Sequence, residues 1–327
     1  IAFSKQKGGP ARTASALEGG GGRAEWGGAV LMAELVAKAS LTMATGADIA
    51  SMDGSVYDVL LDETVPVESV ITGTTIGAVE LLPAHPDLAA AELELLNVLE
   101  RERVLARRFE SLDLSAWDYV LIDSPPALNI ISINILVAAD ALIIPIEPHP
   151  LSLMVLKRLF ETLSKIRRLN PELEILGFLP TKVHSNSRLA TDMLLSLEEQ
   201  FPDLPLLPQI PLSVRSAESA AERTSVLHYM PRSPVATAYR VAAADLGPAA
   251  QAAPLELALA AGDDYLGQRA VPALSGVREG RVVWLYAAAP GAAASAADHH
   301  APTLLAALEA ALGEGAAPRL GLSRITV

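Results

Sequence analysis

Short apolar runs alternate with helix-length segments along the first two-thirds of the chain, and this alternation constrains the fold more than any other feature. The runs occupy residues 1–4, 30–36, 79–82, 119–123, 141–146 and 174–180. Parallel strands are buried on both faces, so they read as continuous apolar stretches, and a crossover helix must connect each strand to the next. The pattern predicts an α/β fold, with a doubly wound, mainly parallel sheet flanked by helices.

A glycine-containing loop follows the first apolar run and precedes a segment with helical spacing. Residues 4–14 read S-K-Q-K-G-G-P-A-R-T-A. A phosphate-binding loop uses backbone N–H groups that point at the phosphates, a lysine that reaches the β- and γ-oxygens, and a hydroxyl that binds Mg²⁺. Here Arg12 takes the position of the lysine, and Ala11 that of the glycine before it. Pro10 removes one N–H group, whereas Thr13 keeps the hydroxyl.

The loop resembles the deviant phosphate loop of the ParA/MinD family of partition and positioning ATPases, which carries an extra lysine early in the loop. Lys7 matches that lysine, which in the family reaches the partner's phosphates across a nucleotide-sandwiched dimer. The resemblance implies ATP and Mg²⁺ as cofactors and dimerisation through this face. It also implies nucleotide contacts from the residues of the loop, which are Lys7, Gly8, Gly9, Pro10, Ala11, Arg12, Thr13 and Ala14.

Two apolar runs resemble the carboxylate-bearing strands of the same family. The stretch 119–123 resembles the Walker B strand, so the resemblance implies that Asp123 supports Mg²⁺ together with Thr13. In the run that begins at residue 30, Glu34 stands at the first aspartate of the family's D-x-D-P-Q motif and Val36 at the second. The resemblance thus assigns catalytic roles to Lys7, Arg12, Glu34 and Asp123.

Two altered positions, Val36 and Arg12, predict slow or absent ATP hydrolysis. Val36 can neither orient water nor accept a proton. Arg12 keeps the positive charge, but its guanidinium is a planar fork, whereas the lysine of the family supplies a compact ammonium group.

Glycines 19–22 follow in the predicted helix. At roughly 1 kcal/mol each relative to alanine, they would destabilise this helix by about 4 kcal/mol. We therefore expect a frayed helix and a weak anion site at its N-terminus.

Later segments resemble ParA-family blocks in the family's order, up to about residue 247. In the block 210–215, the resemblance implies that Pro211 contacts nucleotide. Arg188 and Arg215 fall where ParA-type relatives place DNA-contacting arginines. The net charge is −13, and non-specific DNA binding is driven by counterion release at a basic face, so any DNA contact needs a local cluster. The alternative is that both arginines are ordinary solvated side chains.

Residues 248–327 are predicted to be an alanine-rich linker and C-terminal extension of unknown role, following a ParA/MinD-like domain over residues 1–247. A strand is expected at 281–286 and a short helix at 303–312. The latter contains no lysine or arginine, so it does not resemble the basic amphipathic helix with which MinD-like proteins bind membranes. His299 and His300 lack a further ligand at metal-binding spacing, so we expect no metal site there.

Composition excludes several classes of protein. The chain has no cysteine, which excludes disulfides, thiolate metal sites and the iron–sulfur relatives of this family. No run approaches the ~18–20 apolar residues that cross a bilayer. We therefore expect a cytoplasmic protein without membrane partners, associated with the nucleoid if DNA binding is retained.

Two functions remain open from the sequence. The first is a ParA-like partitioning protein for chromosomes or plasmids: an ATP-dependent dimer switch with impaired hydrolysis that binds DNA non-specifically and works with a ParB-like site-binding protein. The second is a nucleotide-independent pseudo-ATPase, a scaffold or regulator that pairs with an active relative in a heterodimer. The loop favours the second function, and the ordered blocks from Asp123 onward favour the first.

Overall fold

The computed structural model describes residues 1–4, 11–49, 52–149, 151–184, 187–244, 273–278 and 281–286. The chain divides into two compact units, Ile1–Ala243 and Ala244–Val327. In the first unit the strands are β1 (Ala2–Phe3), β2 (Val30–Glu34), β3 (Thr72–Gly73), β4 (Val79–Leu82), β5 (Tyr119–Asp123), β6 (Ala141–Ile146) and β7 (Glu174–Pro180).

These strands form one seven-stranded sheet in the order β3-β4-β2-β5-β1-β6-β7. Neighbouring strands are parallel except for β3, which runs antiparallel to β4 at the edge. The predicted α/β fold and its mainly parallel sheet are thus confirmed. The sequence did not indicate β3, because two residues are too short for a periodic pattern.

Helices connect the strands. They are α1 (Ala11–Glu25), α2 (Ser40–Ala44), α3 (Val56–Leu61), α4 (Leu88–Glu94), α5 (Val104–Glu110), α6 (Ile130–Ala138), α7 (Leu151–Ile166), α8 (Arg188–Gln200), α9 (Arg215–Ala221), α10 (Val226–Tyr229) and α11 (Pro234–Ala244). Short 3-10 segments lie at Val67–Val70, Leu95–Asn97, Arg101–Arg103 and Leu114–Ala116. Side-chain caps begin several helices, as when Ser55 and Asp58 form a capping box at α3.

The two faces of the sheet are buried against different helices. All five residues of β2 are buried, as expected of a central parallel strand. Leu31 and Ala33 belong to a core cluster that also takes in buried residues of α3 to α8. Met32 points the other way, towards Gly20 of α1. The alternation of side chains along the strand therefore assigns α1 to the opposite face from that cluster.

The glycines of α1 lie inside the protein, and Gly22 is a packing residue. The helix runs unbroken from Ala11 to Glu25, and glycines 19–22 are all buried. A Cβ atom at Gly20 would collide only with the flexible Cε end of Met32, whereas one at Gly22 would lie 2.6 Å from the Cβ atom of Ala243. The expectation that these glycines fray the helix is wrong, because the helix continues through them to Glu25, and the missing side chain of Gly22 lets α1 approach α11.

The second unit contains a described hairpin. Strand β8 (Ala273–Arg278) pairs antiparallel with β9 (Arg281–Tyr286). The strand expected at 281–286 is therefore present, whereas the helix expected at 303–312 and the histidine pair at 299 and 300 lie outside the described residues. The predicted domain boundary at residue 247 stays a prediction.

Candidate functional site

The carboxyl ends of three adjacent strands lie side by side at the centre of the sheet. Strands β2, β5 and β1 are adjacent and parallel, and α1 starts eight residues after β1 ends. Ligands of open α/β sheets bind outside the carboxyl ends of the strands, near helix N-termini that attract anions. The described ends of the predicted phosphate-binding segment, Ser4 and residues 11–14, therefore lie at the edge where this fold places ligands.

Thr13 and Asp123 meet at this edge. The Thr13 Oγ1 atom donates a hydrogen bond of 2.6 Å to Oδ2 of Asp123, which is fully buried at the end of β5. The other carboxylate oxygen, Oδ1, has no hydrogen-bond partner within the described residues. Burial raises the pKa of Asp123 to about 6, while Thr13 and the charge of Arg12 act in the opposite direction.

This pair fits a magnesium ion. Mg²⁺ prefers oxygen ligands and is commonly held by one or two side chains together with substrate phosphates, so a full cage of protein ligands is not required. A hydroxyl and a buried carboxylate with one unused oxygen supply those ligands. A cation beside Oδ1 would also favour the ionised carboxylate, offsetting the cost of its burial.

Arg12 lies inside the protein beside this pair. It is the second residue of α1, and 5% of its surface is exposed. Burial lowers the pKa of Arg12, and the charge of Asp123 raises it; a guanidinium nevertheless stays protonated in proteins. The substitution therefore preserves positive charge within the site, while the shape of the charged group differs from that of lysine.

Glu34 ends β2 directly opposite Asp123 in the register of the two strands. Its carboxylate accepts hydrogen bonds from the backbone N–H groups of Leu41 (2.9 Å) and Thr42 (2.7 Å) and from the Thr42 hydroxyl (2.7 Å). Burial, and then the charge of Asp123, raise the pKa of Glu34 to about 7. These contacts satisfy the first turn of α2, so the geometry supports a structural role. The catalytic role assigned to Glu34 stays a prediction.

Known proteins match the chain across this region. A family model described as an AAA domain matches residues 1–175. The sporulation initiation inhibitor protein Soj of Bacillus subtilis is 32% identical over 240 residues, covering 73% of this chain and 94% of Soj. The chromosome partitioning protein ParA of Caulobacter vibrioides is 30% identical over 231 residues, covering 70% and 86% of the two chains.

The chain belongs to the ParA/MinD family of P-loop ATPases. Solved structures agree with this membership. Cobyrinic acid a,c-diamide synthase from Mycobacterium smegmatis, crystallised with ADP and magnesium, is 34% identical with a TM-score of 0.65, and the match covers 74% of this chain and 91% of that chain.

The ParA/MinD phosphate loop is only partly described in this chain. Lys7, Gly8, Gly9 and Pro10 lie outside the described residues. The backbone of Ala11 begins α1, and the remaining loop residues Arg12, Thr13 and Ala14 continue its first turn. The structure therefore brings Arg12, Thr13 and Asp123 together, while the predicted contacts of the loop with nucleotide stay predictions.

Two other positions of the ParA/MinD pattern lie in loops at the carboxyl edge. Val36 is half-buried in the turn after β2, where its carbonyl oxygen accepts a hydrogen bond of 2.9 Å from the N–H group of Ala39. Its side chain offers no group for proton transfer. Pro211 forms a parallel bridge with Val183, three residues beyond the end of β7. The predicted contact between Pro211 and nucleotide stays a prediction.

The two candidate DNA-binding arginines begin separate helices. Arg188 is exposed at the start of α8. Arg215 begins α9, and its Nη1 atom lies 2.6 Å from Oε2 of Glu218. The neighbouring Leu212 and Val214 are 50% and 70% exposed. Arg215 is therefore partly neutralised on a surface with apolar neighbours, and both DNA assignments stay predictions.

Sequence reasoning missed two acidic residues near this region. Glu147 directly follows β6, and its Oε1 atom lies 2.9 Å from Nζ of Lys182, which lies two residues beyond β7 and has a left-handed φ of 55°. The only sequence signal for this ion pair was a charged residue just beyond each of the two apolar runs.

The second residue that sequence reasoning missed is Glu18 of α1, which is 1% exposed. No local pattern marks its partners, which lie more than two hundred residues away along the chain.

Within the described part of the chain, no helix combines the length and the apolar character that a membrane span requires.

Proposed function

We propose that this chain binds ATP with Mg²⁺ at the edge formed by Thr13 and Asp123, and that it acts as a nucleotide-dependent switch in DNA partitioning. The observation that carries the proposal is the 2.6 Å hydrogen bond between Thr13 and Asp123, beside a buried carboxylate oxygen that has no partner in the described residues. Relatives named Soj and ParA support the partitioning role, and the relative crystallised with ADP and magnesium supports the ligand.

Each residue of the site has a chemical task in this proposal. Thr13 and Asp123 hold Mg²⁺, which when bound neutralises phosphate charge. Arg12 contributes a positive charge to the phosphates, and Lys7 reaches the phosphates bound by the partner in a homodimer or in a heterodimer with an active relative. Arg188 and Arg215 contact DNA without sequence preference, and a ParB-like protein marks the partition site.

Hydrolysis is slow in this proposal. Val36 cannot accept a proton or orient water, and the planar guanidinium of Arg12 does not reproduce the compact charge of lysine. The single variants Arg12→Lys and Val36→Asp and their combination test this explanation. We expect the double variant to hydrolyse ATP at least about tenfold faster than the parent, since general-base and charge-stabilising groups each contribute 10²-fold or more. Turnover by the parent at the rate of the double variant would contradict it.

Nucleotide binding is tested by titration with a fluorescent ATP analogue, with Mg²⁺ or with EDTA. The parent should bind more tightly with Mg²⁺, and Asp123→Asn should abolish that difference. Asp118→Asn is the matched control, because Asp118 immediately precedes the same strand and its side chain accepts a hydrogen bond from the N–H group of Ala29, away from the candidate site. Failure of the parent to bind with Mg²⁺ would refute the proposal.

The second candidate function is the nucleotide-independent scaffold, and the altered residues Arg12 and Val36 favour it. The Arg12→Lys variant separates the two. If neither the parent nor Arg12→Lys binds the ATP analogue while both remain folded, the scaffold replaces the switch. Binding by Arg12→Lys alone would show that arginine at this position has closed an otherwise competent site.

A further inference from the structure

A buried carboxylate joins α1 to the segment that carries Arg215. Glu18 lies in the middle of α1 and is 1% exposed. It accepts a hydrogen bond of 2.8 Å from the Ser225 hydroxyl and bonds of 2.9 and 3.1 Å from the backbone N–H group of Val226. Both donors belong to the start of α10, which leaves its first N–H groups without partners in the helix.

Ser225 completes this cap. Its hydroxyl oxygen accepts a hydrogen bond of 2.9 Å from the N–H group of Leu227, so one hydroxyl satisfies the helix end and donates to Glu18 at the same time. A side chain from a different part of the fold thus contributes to the N-terminal cap of α10. Without the carboxylate, the Val226 N–H group and the Ser225 hydroxyl would lose buried partners, which makes this attachment costly to break.

The segment held in this way leads back to Arg215. Helix α9 starts at Arg215 and ends at Ala221, four residues before Ser225. The intervening Arg223 has a left-handed φ of 54°, and its carbonyl oxygen lies 3.2 Å from the Thr75 hydroxyl, which it shares as a donor with the carbonyl oxygen of Thr45 at 3.0 Å. The segment 215–229 is therefore anchored near residue 223 and again at Glu18.

The other end of the connection is the candidate site. Glu18 follows Thr13 by five residues on α1, which corresponds to about 7.5 Å along a helix. The residues of an unbroken helix move together, so a shift of the Thr13 end displaces Glu18 and the groups bonded to it.

We propose that Glu18 is a positioning residue that fastens the segment 215–229 to α1 and thereby makes the placement of Arg215 depend on the position of the phosphate-loop helix. The attachment itself stands on the hydrogen bonds described above, whereas its dependence on nucleotide rests on the proposed function. Opening of this attachment releases α10 and the connected α9 while the central strands remain folded.

Protonation provides an independent test of this attachment. Burial raises the pKa of Glu18 to about 7, and the hydrogen bonds from Val226 and Ser225 oppose that rise. The ionisable groups near it are Glu25 of α1, which raises its pKa further, and Tyr239 of α11, whose own pKa is raised by burial and then by the charge of Glu18. A carboxyl that binds its proton more tightly when closed than when solvated favours the closed state at low pH. Opening should therefore increase as the pH rises.

Hydrogen exchange of the full chain without nucleotide tests the attachment at about pH 5.5 and about pH 8. After correction for intrinsic exchange, we expect opening of residues 215–229 in the parent to increase by up to roughly 30-fold between these pH values. Glu18→Gln, which has the same shape and does not titrate, should lose this pH dependence, and Glu18→Ala should exchange faster at both values. Glu222→Gln is the control, because Glu222 is an exposed acidic residue at the end of α9 in the same segment.

Three results would overturn the proposal: an unchanged pH profile in Glu18→Gln, unaltered exchange of the segment in Glu18→Ala, or equal loss of protection across β1 and β5. A second series with Mg²⁺ and the ATP analogue tests the connection with the site. There we expect nucleotide to alter exchange of the segment in the parent but not in Glu18→Ala. If the parent binds no nucleotide, the proposed function is refuted. The exchange measurements without nucleotide still test the attachment of the segment to Glu18 in that case.

Discussion

Replacement of single glycines in α1 by alanine tests the packing of this helix. Gly21 and Gly22 are adjacent and buried, but a Cβ atom at Gly21 would lie 3.4 Å from its nearest neighbours in Leu227 and Ser225. At Gly22 the new atom would lie 2.6 Å from the Cβ atom of Ala243, which is attached directly to the backbone of α11. The two helices would have to separate by about 1 Å to restore an ordinary carbon–carbon distance of about 3.5–4.0 Å.

The magnitude follows from two opposing contributions. Alanine is favoured over glycine within a helix by about 1 kcal/mol, and this gain is common to both variants. Overpacking costs typically about 1–3 kcal/mol and applies fully only at Gly22. We therefore expect the free energy of unfolding of Gly21→Ala to exceed that of Gly22→Ala by about 1–3 kcal/mol. This corresponds to several degrees in Tm, since 1 kcal/mol corresponds to about 2–4 °C for a domain of this size.

Urea denaturation of the full chain measures this difference. The double variant Gly22→Ala/Ala243→Gly provides the control, because removal of the opposing methyl group restores the space. A double-mutant cycle should show favourable coupling of about 1 kcal/mol or more between the two positions. If Gly21→Ala and Gly22→Ala were stabilised equally, within about 0.5 kcal/mol, the helix would not be packed as described, and its glycines would be a simple weakness of the sequence.

Three further predictions concern the buried carboxylates and the candidate ligand sites. The free energy of unfolding should fall as the pH rises from about 4.5 to about 7, because Glu18 and Glu34 have a pKa of about 7 in the folded protein and bind their protons more tightly there than in the unfolded chain. Each carboxyl contributes at most about 3 kcal/mol of stability, which is fully present below pH 4.5 and is lost by pH 7. Urea denaturation across this range measures the change. If the unfolding free energy of Glu34→Gln had the same dependence on pH as that of the parent, the assignment to Glu34 would be contradicted. Thr13→Ala should weaken binding of the ATP analogue in Mg²⁺ by about tenfold or more and Thr13→Ser should retain it, and equal affinities of these two variants in the same titration would exclude the hydroxyl as a ligand. Replacement of both Arg188 and Arg215 by alanine should abolish weak, sequence-independent DNA binding. The slope of the logarithm of the binding constant against the logarithm of the salt concentration changes by about 0.9 for each phosphate that is no longer neutralised. If the double variant bound DNA with the slope of the parent, these arginines would not belong to the interface.

The residues that form the strands were predictable because the signal is local. A parallel strand is buried on both faces, so it must be a continuous apolar run, and β4, β5, β6 and β7 begin and end where those runs do. The carboxylate of Asp123 was predictable for the same reason, since the last residue of such a strand emerges at the edge that binds ligands.

The roles of individual buried polar groups were not predictable in this way. The catalytic role expected of Glu34 stays a prediction, and its hydrogen bonds to the start of α2 depend on how the turn after β2 folds back. That geometry has no counterpart in the order of residue types. The same limit applies to Glu147 and Lys182, whose ion pair exists only because β6 and β7 are neighbours.

By itself, the amino-acid sequence determined the positions of the buried strands and indicated that Arg12, Thr13 and the carboxylate of Asp123 lie where those strands end, because each is specified by neighbours along the chain. Only the tertiary structure decided that Gly22 of α1 is a packing point and that Glu18 caps a distant helix. Both depend on distances between segments that are remote in sequence, such as the 2.8 Å from Ser225 to Glu18. A glycine or a carboxylate has the same local preferences in either role, so its function is set by what the fold brings against it.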